Sequence, residues 1–120
     1  MGEREFTVAE VRAMLPEVLT RAAEFVQVRA DLAQLAHELR TTGSSDLGGV
    51  AEVKAFEARL DDVVTWFRAE SIEVKGLAPL LLDFPARLQG RSVRLCWLEG
   101  DSELSWYHLS ELGFPGRRPL

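Results

Sequence analysis

The hydrophobic period of this chain changes once, at Ser71, and that change limits the fold more than any other feature. Before it, Leu15, Val18, Ala22, Phe25, Arg29, Leu32, Ala36 and Leu39 recur at three- and four-residue steps, and Val53, Phe56, Leu60, Val63 and Phe67 repeat the pattern. That spacing gathers apolar side chains on one stripe of a helix. After it, Ile72–Lys75, Leu80–Phe84, Val93–Trp97 and Leu104–His108 read with period two, as short strands. Helices followed by strands predict an α+β fold, a long antiparallel helical hairpin packed on a small three- to four-stranded antiparallel sheet.

Local signals fix several boundaries. Thr7 and Glu10 form a capping box, with Phe6 and Val11 placed as a hydrophobic staple, so a helix starts at Val8. Pro16 is expected to interrupt it, the helix restarting at Leu15 or Pro16. Thr41–Asp46 is a polar turn with a glycine stop at Gly43. Folding the hairpin about Ser44 sets Phe25 against Val63 or Val64, Leu32 against Phe56 and Ala36 against Val53. Arg29, the one charged seam residue, is then expected beside Leu60, Asp61 and Asp62, as a register-setting ion pair or a polar site.

In the strand region, Pro85 is expected to end a strand, and Glu99–Ser102 reads as a hairpin loop. That loop pairs Leu95 with Trp106, Trp97 with Leu104 and Arg94 with Tyr107. Val93, Leu95, Trp97, Leu104, Trp106 and His108 would share the buried face with Leu80, Leu82 and Phe84. Arg94, Cys96, Ser105 and Tyr107 would share the other.

The 120 residues suit one domain, with 8–71 helical and 72–120 forming the sheet and tail. A single cysteine forms no internal disulfide and no multi-thiolate zinc site. The polar start Met1–Glu5 has no signal-peptide core behind it, and the apolar run Leu77–Leu82 is too short to cross a bilayer. The expected location is the cytoplasm. A net charge of −5 disfavours nucleic acid as a partner, and no membrane partner is expected. Residues 1–71 hold eight basic against thirteen acidic side chains, whereas 72–120 hold six of each, so an anion site belongs in the C-terminal part.

Rare residues also concentrate there. His108 is a candidate acid/base with Asp83 or Glu111, or a half-buried histidine satisfied by a backbone or carboxylate partner. The three could alternatively ligate a metal, although no metal site and no cofactor are expected. Cys96 near Arg94 is either a nucleophile or a packed small hydrophobe. Trp97, Trp106 and Tyr107 read as ligand-stacking or as core. Arg87 flanks the turn after Asp83, and Gly113 and Gly116 set tight backbone near Arg117 and Arg118, making these three arginines the candidate anion binders. No Walker loop, dinucleotide fingerprint, serine-hydrolase elbow or metalloprotease helix is present.

Phe6–Pro16, Ile72–Lys75, Leu82–Arg87, Gly90-Arg91, Leu95–Trp97, Trp106–His108 and the run Gly113–Leu120 together resemble a family of short bacterial proteins, domain of unknown function 2203. The chain departs from it at Gly76-Leu77-Ala78-Pro79, where a polar turn is expected. The resemblance implies a bacterial, cytoplasmic, full-length single-domain protein and brings no activity with it. The reading is therefore a non-enzymatic binding or interaction module that self-associates as a homo-oligomer, a dimer foremost, through its hairpin or open sheet face. The alternative is a small enzyme or ligand-binding protein acting on an anionic small molecule, with its site at the C-terminal sheet and tail.

Overall fold

The computed structural model describes residues 4–120; Met1, Gly2 and Glu3 of the polar start lie outside them. Helix α1 runs Val8–Thr41 and α2 runs Val50–Ala69. The Thr7 hydroxyl accepts the Glu10 amide at 3.1 Å while the Glu10 carboxylate accepts the Thr7 amide at 2.9 Å, the reciprocal cap read from the sequence. At the other start, the Glu52 carboxylate accepts the Gly49 amide at 2.8 Å.

Helix α1 does not break at Pro16. Proline withholds one amide from the Arg12 carbonyl, and Pro16 lies on the exposed face, where water can serve that carbonyl. Leu15 and Val18, on either side, are both buried, so core packing supports the helix across the proline. The seam also shifts. Its buried stripe is Val11, Leu15, Val18, Ala22, Phe25, Val28 and Leu35, leaving the expected track after Phe25. A straight helix drifts against a strict seven-residue repeat, and here the drift carries Arg29 off the hairpin seam. Instead of meeting Asp61 and Asp62, Arg29 reaches the sheet. Its two terminal nitrogens donate to the two carboxylate oxygens of Glu99 at 2.7 Å each, and one also donates to the Leu77 carbonyl at 2.6 Å.

The strands are β1 (Glu73–Leu77), β2 (Leu80–Leu88), β3 (Arg91–Leu98), β4 (Trp106–Leu109) and β5 (Arg118–Pro119). They form one antiparallel sheet in sequence order, five strands rather than three or four, because the tail itself adds β5. Ala78-Pro79 makes a two-residue turn, and the pairing of β1 with β2 slips at a bulge between Val74 and Gly76. β2 continues through Pro85. Pairing with β1 ends at Asp83, so proline costs no ladder bond on that side, and the Pro85 carbonyl there accepts the Phe6 amide at 2.7 Å.

The pairing of β3 with β4 differs from expectation by one residue: Cys96 faces Trp106, Leu95 faces Tyr107 and Arg94 faces His108. The loop between them is longer than four residues and internally bonded. The Asp101 carboxylate accepts the Leu98 amide at 3.1 Å, and the Trp97 indole donates to the Asp101 carbonyl at 2.9 Å. Leu104, 2% exposed, plugs the core from the loop rather than from a strand. A one-residue slip moves every side chain of the strand to the opposite face. Tyr107 therefore joins the helix-facing side, while Trp106 and His108 turn to the outer face with Arg94 and Cys96.

The core lies between the helices and the inner face. Leu82, Phe84, Ala86, Val93, Leu95 and Trp97 pack against α1 and against Val63, Val64 and Phe67 of α2. Phe6 meets Phe84 edge-on at 5.5 Å between ring centres. The helices approach β1 and β2 most closely, and the molecule measures 56 × 28 × 24 Å.

Candidate functional site

The outer sheet face is polar, and its chemistry follows from the register. Asp83 pairs with Cys96, and Arg94 pairs with His108, so Asp83 of β2 and His108 of β4 stand diagonally across β3. Their side chains close over the intervening strand: His108 Nε2 lies 3.0 Å from Asp83 Oδ2. Asp83 is 3% exposed and His108 2%. The other ring nitrogen, Nδ1, is 2.8 Å from the Leu109 carbonyl, which only accepts, so Nδ1 carries a hydrogen. The bond to Asp83 then needs one further proton, on Nε2 or on the carboxyl. Either way the pair is neutral as a unit, which makes its burial tolerable.

Among the described residues Asp83 Oδ1 is buried with no hydrogen-bond partner. Cys96 lies beside this carboxylate. Burial, and then the Asp83 charge, push the Cys96 thiol up to about 12, so it stays protonated at neutral pH and is a packed group rather than a nucleophile.

Above the pair is a pocket of about 260 Å³, lined by Lys75, Leu81, Asp83, Arg94, His108 and Phe114 among others. Arg94 donates to both Glu73 carboxylate oxygens, from Nε at 2.9 Å and Nη2 at 3.3 Å, and to the Ser110 hydroxyl at 2.9 Å. Lys75 is 3.5 Å from Glu73. A polar network thus ties β1, β3 and the end of β4 around the pocket.

Of the residues singled out in the sequence, Asp83 and His108 come together. Glu111 is exposed and does not line this pocket. Arg87 lies 3.4 Å from Glu5 and donates to the Gly90 carbonyl at 3.2 Å. Arg117 sits over the Phe114 ring at 4.1 Å and the Trp106 ring at 4.8 Å. Arg118, paired with Tyr107, faces the helix side. Lys75 and Ser110 were not foreseen, and alternation from Asp83 through β1 was the signal that could have placed Glu73 beside Arg94. Among the described residues no group of three or more His, Cys, Asp or Glu could hold a metal ion. No helix of the described residues is long and apolar enough to cross a membrane.

No curated protein and no solved structure matches this chain. One family model, described as "Uncharacterized conserved protein (DUF2203)", matches residues 4–120, and the chain belongs to that family.

Proposed function

We propose that this protein is a non-enzymatic binding module for a small anionic molecule, held in the outer-face pocket over Asp83 and His108. The observation that carries the reading is the convergence of these two buried side chains from non-adjacent strands beneath Lys75 and Arg94. Lys75 supplies an exposed ammonium group at the rim, 3.5 Å from Glu73, within reach of an anion in the pocket. Leu81 and Phe114 supply apolar walls, and a volume of about 260 Å³ suits a ligand of modest size.

Thermal-shift measurements with formate, acetate, lactate and inorganic phosphate test this. A binder at ~100 times its dissociation constant stabilises by about 2.7 kcal/mol. Lys75→Gln, at an exposed position, should abolish that gain. Failure of all four anions, an equal gain in the variant, or recovery of the anion in altered form would each count against the reading.

A second reading concerns self-association. Beyond the sheet the hairpin is only two helices thick, and Leu32, Leu39, Val53 and Phe56 are half-buried there while Val50 is 71% exposed. A second copy packed antiparallel would complete a four-helix arrangement. Sedimentation of wild type against Phe56→Glu tests it; a monomer at every wild-type concentration contradicts it.

A further inference from the structure

The inner sheet face is not covered everywhere. At its β3–β5 corner, a cavity of about 520 Å³ opens among Leu88, Arg91, Val93, Tyr107, Leu109 and Arg118. We propose that this cavity is a second binding site, distinct from the outer-face pocket, that takes a small anion with an apolar body, such as a carboxylate on an aliphatic chain.

The register places the charged groups. Strand alternation puts Arg91 on the same face as Val93 and Leu95, and Tyr107 pairs with Arg118 on one side and Leu95 on the other. Arg91 and Arg118 therefore stand at two margins of one apolar floor. Among the described residues neither side chain has an ion pair or hydrogen bond, and no acidic side chain lines the cavity. In contrast, Arg29, Arg87 and Arg94 each have a carboxylate within 3.4 Å. In a chain with five more acidic than basic residues, two guanidinium groups with no ion pair among the described residues, beside a cavity lined by no acidic side chain though it includes the last residue, Leu120, are charge-complementary to an anion.

The floor selects the rest of the ligand. Leu88, Val93 and Leu109 present apolar surface that a bare inorganic anion leaves wet. An apolar body covers it while the head group takes forked hydrogen bonds from the arginines. The Tyr107 hydroxyl adds a neutral donor. The volume falls within the range of small-molecule sites. This site does not depend on the outer-face pocket: it uses the opposite side of the sheet and none of Asp83, His108, Lys75 or Arg94.

Fluorescence titration of the full chain with 1-anilinonaphthalene-8-sulfonate, an apolar-bodied anion, tests the proposal. We expect saturable one-site binding with an unchanged near-ultraviolet circular dichroism spectrum. Arg91→Gln/Arg118→Gln should weaken it at least tenfold, and Lys75→Gln should leave it unchanged. Decanoate should displace the probe where the same concentration of phosphate does not. Equal binding by the double variant, displacement by phosphate as effective as by decanoate, or binding only with loss of the near-ultraviolet signal overturns the proposal. So does affinity that falls as protein concentration rises, which would put a second copy of the chain in the cavity.

Discussion

Arg29 and Glu99 meet through two parallel hydrogen bonds of 2.7 Å, fastening the middle of α1 to the loop after β3. The same Glu99 carboxylate accepts the Leu80 amide at 2.9 Å, so one side chain joins α1, the start of β2 and the end of β3. The Arg29 guanidinium, and then the Leu80 amide, hold the Glu99 carboxyl down at about 2, below its ordinary 4.5. Between those two values the unfolded chain binds the proton that the folded one refuses, so stability rises with pH across that window and is lost as pH falls through 2. The pair is about one-quarter exposed, and solvent screening lowers its worth to about 1 kcal/mol. We expect the midpoint of thermal unfolding to fall from pH 4.5 to pH 2 more steeply in wild type than in Glu99→Gln. Parallel curves would show that the pair contributes nothing.

The Asp83–His108 pair should respond to geometry more than to charge. Asp83→Ala strands a buried imidazole nitrogen and should cost about 3 kcal/mol in urea denaturation. Asp83→Asn can still donate to Nε2 of a neutral ring, and should cost under about 1 kcal/mol. Equal losses in the two variants would mean that the bond at 3.0 Å is not what stabilises the outer face.

Arg117 lies across two rings and pins the tail over Trp106. Arg117→Ala should destabilise by about 0.5–1 kcal/mol and change Trp106 emission as the ring gains water. The Leu120 amide, bonded to the Ser105 carbonyl at 2.9 Å, should exchange faster in that variant. Unchanged emission and exchange would separate the tail from the ring contact.

Leu104 gives a direct check on register. Because it fills the core from a loop, Leu104→Ala should cost about 2–5 kcal/mol, as for a buried strand leucine. Tyr107→Thr, on the half-exposed inner face, should cost less. The reverse order would contradict the observed pairing of Leu95 with Tyr107.

Much of this architecture was legible in the chain because periodicity encodes it locally. The change at Ser71, the Thr7–Glu10 cap and the two helices all follow from nearest neighbours in sequence. What failed depended on contacts distant in sequence. The loop after β3 could not be sized without knowing that Asp101 caps Leu98 and anchors Trp97, and that one error sent His108 to the wrong face. Arg29 was assigned a partner on α2 because helical spacing says nothing about where a sheet loop comes to rest. Asp83 and His108 were each recognisable as candidates, but their meeting across β3 became visible only with the correct register. Lys75 and Ser110 carried no local signal at all.

Nuclear magnetic resonance titration reads the outer-face pocket most directly. With formate, acetate, lactate and inorganic phosphate added in turn, at least one should give saturable shifts confined to the His108 ring and the amides of Lys75, Arg94, Ser110 and Gly113. Those shifts should vanish in Lys75→Gln. Shifts scattered over the surface, or none with any of the four anions, would contradict the assignment of this pocket as an anion-binding site.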